Sequence, residues 1–125
     1  MSLIEAEKKY LSKVFCCTWG DLQSFVSFYQ VVKVIDSKTV VLRELESKYT
    51  PHYPKQLSGD VTPILNSFRE ERTYIKELTF EGEEVFTTCK INKKAVLMKN
   101  TEKPQFTSLY FMEDTNSTKY TSSYA

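Results

Sequence analysis

Residues 19–45, WGDLQSFVSFYQVVKVIDSKTVVLREL, decide the fold. They hold the single tryptophan, the longest apolar run and the clearest hairpin signal in the chain. Residues 25–35 and 39–45 are rich in β-branched and aromatic types, which suit a pleated surface. Asp36, Ser37 and Lys38 between them carry turn chemistry. A three-residue loop pairs Ile35 with Thr39, Val34 with Val40 and Val32 with Leu42. Val32, Val34, Val40 and Leu42 then share one face as a dry core patch, while Val31, Lys33, Val41 and Arg43 share the other. A two-residue loop would set Lys33 against Leu42 and mix the faces, and a slip of one residue reverses every side chain. The three-residue loop is therefore the expected register.

The flanking chain reads as short elements with frequent turns. Ser2 and Glu5 form a capping box that opens a short helix over residues 1–11, with Leu3, Glu7, Tyr10 and Leu11 on one side. Residues 14–19 make a first strand, ended by Gly20-Asp21, and a loop at 22–24 leads into the hairpin. Pro51, His52, Pro54 and the Ser58-Gly59-Asp60 signal place a loop over 49–60. Residues 61–65 read as an edge strand, because Pro63 donates no ladder hydrogen bond, and 66–72 as a polar connector. Residues 74–80 alternate like a strand, and Glu81-Gly82-Glu83 turns them into a partner over 85–91. Asn92-Lys93-Lys94 turns again into 95–98. A loop at 100–105 precedes an apolar strand at 106–112, a turn at 113–117 and a closing stretch at 119–125. The expected fold class is mainly β: a small antiparallel barrel or strongly bent sheet with a short N-terminal helix, one domain over 1–125.

Composition narrows the function classes. At 125 residues, with 41% hydrophobic and 26% charged, the chain is an ordinary globular domain with room for one core. No apolar run approaches the roughly 20 residues that cross a bilayer. Glu5, Glu7, Lys8 and Lys9 stand where a secretion signal has its apolar core, so a cytoplasmic protein without a membrane partner is expected. A net charge of +1 argues against non-specific grip on duplex DNA, which usually needs a basic excess. The Lys8-Lys9 and Lys93-Lys94 clusters fit a solvated face. Cys16 and Cys17 are neighbours that diverge in a strand, and Cys89 leaves an odd count. There is no C-x-x-C pair, and one histidine does not complete a usual zinc set. Free buried thiols are expected, with no disulfide, metal or cofactor.

No motif names a reaction. His52 lies between prolines, and the sequence supplies neither the orienting partner nor the nucleophile a catalytic histidine needs. Glu70-Glu71, Glu83-Glu84 and Glu113-Asp114 are adjacent carboxylates in connectors, and the three glycines stand too far apart for a phosphate-cradling loop. These features argue against an enzyme. One positive feature remains, the aromatic series Trp19, Phe25, Phe28, Tyr29, Tyr49 and Tyr53. Such rings pack cores or, when exposed on small barrels, stack nucleobases. Phe28 shares the parity of Val32 and Val34 and is assigned to the core. Tyr29 shares the parity of Lys33 and Arg43, so Tyr29, Lys33 and Arg43 are the candidate binding residues. Two cations beside a tyrosine can meet phosphate, carboxylate or an aromatic ring.

Trp19-Gly20, then Phe28-Tyr29-Gln30-Val31-Val32-Lys33-Val34 and Lys38-Thr39-Val40, resemble a group of small uncharacterised proteins of bacterial phages, prophages and plasmid-like elements. Members tend to read W-G-Y-x-Q-T-x-x-x-F-Y-Q-V, then a turn and K-T-V, and many finish in S-Y-A, as Ser123-Tyr124-Ala125 does here. The resemblance covers about half the chain, at its two ends. Asp21 stands where an aromatic is common, and Phe111-Met112-Glu113-Asp114 where a W-D-G-K-like turn often precedes the last strand. The resemblance implies a mobile-element setting, in which binding to host nucleic-acid machinery is expected, and it carries no catalytic residues over. The expected function is that of a non-enzymatic binding protein acting on a macromolecule, a protein partner first. A single-stranded nucleic-acid-binding small barrel is the alternative and a hydrolytic enzyme the third reading. An exposed aromatic and basic patch would favour nucleic acid, and an apolar, nearly neutral one a protein. A cleft gathering His52 with a cysteine or carboxylate would favour the enzyme.

Overall fold

The computed structural model describes residues 2–20, 25–51, 58–90 and 92–108. Helix α1 (Leu3–Tyr10) opens on the expected box: the Ser2 hydroxyl accepts from the Glu5 N–H, and the Glu5 carboxylate accepts from the Ser2 N–H. Its core-facing residues are Ala6 and Tyr10, whereas Leu3 and Leu11 are exposed, which corrects the expected apolar side. Ser12, at a left-handed φ of 69°, turns the chain out of the helix.

Eight strands follow: β1 (Val14–Trp19), β2 (Phe25–Asp36), β3 (Thr39–Pro51), β4 (Ser58–Glu77), β5 (Thr79–Glu81), β6 (Glu84–Cys89), β7 (Lys93–Leu97) and β8 (Gln105–Ser108). They form one antiparallel sheet in the order β5-β6-β7-β1-β2-β3-β4-β8. The protein is thus mainly β with one short N-terminal helix, and the strongly bent sheet is the form it takes. Among the described residues the sheet does not close into a barrel. It curls far enough for the Thr87 hydroxyl on β6 to donate to the Glu77 carbonyl on β4 at 2.9 Å.

The bend originates in the β3–β4 ladder. Arg43 faces Thr73, Leu45 faces Phe68 and Ser47 faces Pro63, so β4 uses up many more residues than β3 over the same stretch. Asn66, with φ of 64°, sits in this irregular part. The expected connector at 66–72 is therefore part of β4. Of the expected edge strand at 61–65, Val61 lies between β3 and β8, whereas Thr62 and Pro63 pair on the β3 side with no β8 partner among the described residues. Pro63 is tolerated where the ladder is already broken, a position open to proline at bulges as well as at edges. The ladder also reaches into the expected loop at 49–60: Pro51 faces Gly59, and a Cβ on Gly59 would lie 2.8 Å from the Pro51 Cα and run into the Thr50 carbonyl. The loop at 22–24, His52 and the chain end from 109 onward fall outside the described residues.

Bending lets the sheet bury both of its faces. Tyr29, Val31, Val34, Val40 and Leu42 gather on the inner face with Phe15, Cys17, Leu78, Cys89 and the helix residues Ala6 and Tyr10. Val14, Phe28, Leu45 and Val61 form a second cluster on the other face. In consequence β2 is buried without interruption from Ser27 to Val31, the pattern of a strand covered on two sides.

The hairpin register differs from the expected one in two places. The turn is Ser37-Lys38, with Asp36 opposite Thr39 and the Asp36 carboxylate accepting from the Lys38 N–H at 2.8 Å. Val34 faces Val40 as expected. Ile35 and Val32 are each an extra residue on β2, so Val31 rather than Val32 faces Leu42. Val31 is fully buried and Val32 only half so. The cause lies on the other edge of β2. There the Val31 N–H donates to the Lys13 carbonyl at 2.8 Å, and the Val31 carbonyl accepts from the Ser12 N–H at 2.9 Å.

Val31→Ala should cost about 2–3 kcal/mol through lost burial and a residual cavity, and Val32→Ala less than about 1 kcal/mol. Denaturant midpoints of the two variants measure this directly. An equal or reversed order would restore the register read from the pattern alone.

Candidate functional site

On the outer face of the hairpin, Lys33, Val41 and Ile75 lie directly side by side across β2, β3 and β4. Strand alternation puts them there: their neighbours Val40, Leu42 and Tyr74 point inward. Ile75 is 68% exposed and Ile35 is exposed at the hairpin end, while Val41 is half-buried. The resulting surface is aliphatic, with exposed Glu77 beside Ile75 on β4 and Lys33 as a cation that has no ion-pair partner among the described residues.

Two of the three expected binding residues reach this face. Lys33 is exposed on it. Arg43 is one pair further along, opposite Thr73 and Gln30, but it is engaged internally. Its Nε donates to the Glu70 carbonyl at 2.7 Å, and its guanidinium lies 4.3 Å from the Phe68 ring centre. Beside it the buried Gln30 amide donates to Asn66 Oδ1 at 3.0 Å and accepts from the Asn66 N–H at 2.9 Å. Gln30 and Arg43 thus brace the bend of β4, satisfying polar groups that would otherwise be orphaned. Tyr29 does not join them. The extra residue Val32 turns it to the inner face, where it is 3% exposed and opposite Glu44.

Inside the curl is a cavity of about 320 Å³ lined by Tyr29, Tyr74, Lys76, Cys89 and Lys90. Tyr29 and Tyr74 meet edge to face at 6.0 Å, and the Tyr74 hydroxyl donates to the Glu70 carboxylate at 2.7 Å. Lys90 Nζ is 3.5 Å from the carboxylate of buried Glu44 and 5.5 Å from the Trp19 ring centre. Trp19 is itself fixed by stacking on Phe25 at 4.6 Å and by donating to the Ser27 hydroxyl at 2.9 Å. Lys90 has a φ of 26°, a conformation that costs a bulky residue on the order of 1–3 kcal/mol and is held only by its surroundings. The sequence shows no sign of this cavity, because its walls come from β2, β4, β6 and the turn after β6. The one local signal is the shared parity of Tyr74 and Lys76.

Burial dominates the acid–base chemistry here. It pushes the Cys89 thiol up to about 12, with neighbouring Cys17 adding to the effect, and the Cys16 thiol up to about 11. Cys17 is raised for the same reason. The Tyr29 phenol is driven up by burial and then by the Glu44 charge, and Tyr74 by its hydrogen bond to Glu70. All five groups favour their neutral forms. The cavity offers ammonium groups and phenols, and its thiol is not an activated nucleophile. Among the described residues no His, Cys, Asp and Glu group is arranged to hold a metal, and no helix is long and apolar enough to cross a membrane. Compared with family models, curated proteins and solved structures, the chain gives no match.

The buried Cys17 and Cys89 thiols should alkylate at least about 100-fold more slowly in the native protein at pH 8 than in denaturant, since buried protonated sulfur is unreactive. Mass-resolved iodoacetamide kinetics provide the check. A Cys17 or Cys89 thiol that reacts faster in the native protein than in the unfolded chain would reveal an activated nucleophile and revive the enzymatic reading.

Proposed function

We propose that this is a non-enzymatic binding protein whose outer hairpin face docks a protein partner. The observation that supports this reading is the contiguous row of Lys33, Val41 and Ile75, with half-buried Val41 at its centre and Ile75 68% exposed at its β4 end. Single exposed apolar residues are ordinary, but adjacent ones on a strand surface mark contact sites. The partner surface that fits is apolar, with a carboxylate or carbonyl set to meet Lys33. The single-stranded nucleic-acid alternative loses its main ground, because stacking needs an exposed ring and Tyr29 is in the core. Arg43, already held by Glu70 and Phe68, is less available to a phosphate. The resemblance to phage and mobile-element proteins is the reason for looking for the partner in host nucleic-acid machinery, in the cytoplasm.

Ile75→Glu tests the face with little cost to the fold, since the position is mostly exposed. Immobilised wild type is expected to retain a nuclease-resistant protein from host extract at fixed stoichiometry. The variant should lose that protein while its thermal midpoint stays within about 2 °C, less than about 1 kcal/mol of lost stability would shift it. Fluorescence anisotropy with labelled single-stranded DNA and RNA at low salt should show no saturation. Retention that ignores Ile75→Glu would overturn the docking face. Saturable, salt-dependent nucleic-acid binding that Lys33→Ala weakens would replace this reading with the alternative.

A further inference from the structure

The inner cavity has features that the outer face does not account for. At about 320 Å³ it sits at the small end of ligand-binding sites, which run from roughly 300 to 1,000 Å³. That is room for one ring with a short substituent. Its two tyrosine rings stand at 85° to each other, so a planar guest can lie on one ring while meeting the edge of the other. The two lysines differ in their electrical state. Lys90 is opposed by the Glu44 carboxylate at 3.5 Å. Lys76 also lines the cavity and is half-buried, and among the described residues no carboxylate comes within ion-pairing distance of it.

We propose that this cavity binds a small planar aromatic monocarboxylate, its ring against Tyr29 and Tyr74 and its carboxylate on Lys76. Glu70 on the Tyr74 hydroxyl and Arg72 over the Tyr74 ring add one charge of each sign, and Lys90 is opposed by Glu44, so Lys76 leaves the site suited to one negative charge. A half-buried, unopposed ammonium attracts an anion more strongly than an exposed one, because less water screens it. A second charge would come up against Glu44, which is buried and already shares Lys90, the other ammonium among the described residues of the cavity wall. Lys90, engaged with Glu44 and Trp19, leaves Lys76 to the guest. Cys89 supplies a neutral, polarizable contact. This site is independent of the outer docking face, because Tyr74 and Lys76 lie on the opposite side of the sheet from Ile75.

Benzoate is the probe, with benzamide as its neutral isostere and inorganic phosphate as a multiply charged anion. Ligand-titrated NMR spectra of the intact protein should show saturable 1:1 benzoate binding that shifts Tyr29, Tyr74 and Cys89 resonances. Benzamide and phosphate should each bind at least about tenfold more weakly. Lys76→Met should lower benzoate affinity about tenfold without changing benzamide, and Lys76→Arg should keep most of it. Ile75→Glu should leave benzoate binding unchanged, which separates failure here from failure of the docking face. Absence of saturation, equal affinity for benzamide, or shifts confined to surface residues away from the cavity would overturn the proposal. The wild-type shift map decides this even if a Lys76 variant fails to fold.

Discussion

Two backbone hydrogen bonds at Val31, one given to Lys13 and one taken from Ser12, fix where β2 turns over. With Val31 tied to the segment that leaves the helix, its side chain points to the core beneath Ala6 and Tyr10. The next residue that can pair with β3 is Lys33, and Val32 is left as an extra residue. A β-bulge of this kind exchanges inside for outside along the rest of the strand. Tyr29 and Val31 therefore face one core, while Lys33 faces solvent. Had the strand been regular, Tyr29 and Lys33 would share a surface, and the protein would present a ring beside a cation. The bulge separates them, and with them the chemistry of the two faces.

A second constraint follows from burying both sides of one sheet. A strand that packs against clusters on two faces has no solvent side for its polar groups, so any polar residue there needs a built partner. Gln30 is that residue on β2, and Asn66 supplies both a donor and an acceptor. The pairing holds Asn66 in its left-handed backbone, and Arg43 holds Glu70 a little further on. Together they keep β4 bent, which is what brings Val61 over Phe28 and Leu45. The same bend carries Tyr74 and Lys76 around to face Cys89 and Lys90. Core packing and the cavity thus have a common origin in the broken β3–β4 ladder.

What was legible in the sequence is what local chemistry controls. The bounds of β1, the Ser2–Glu5 box, the contact of Val34 with Val40 and the turn at Gly82, where φ is 59°, all follow from neighbouring residues. The bulge at Val32 was hidden because its cause is a pair of backbone bonds to residues before β1, and backbone groups leave no mark on hydrophobic pattern. Local pattern divides β4 into three pieces, because Pro63 and Asn66 are breakers in isolation. Gln30 and Ser47, distant in sequence, make them members of a strand. Of the expected site, Lys33 kept its exposed position, Arg43 kept its face but is taken up by Glu70 and Phe68, and Tyr29 moved to the cavity. The cavity itself was illegible, since four separate elements have to fold before its walls meet.

The most direct measurement is the set of cross-strand nuclear Overhauser contacts around Leu42 in solution. With the bulge in place, the Leu42 methyls should contact those of Val31, the Tyr29 ring should contact Tyr74, and Val32 should show no contact to Leu42. Contacts between Val32 and Leu42, with Tyr29 resonances behaving as solvent-exposed, would contradict the account. They would return Tyr29 to the face of Lys33 and Arg43, and the assignment of both surfaces would fall with it.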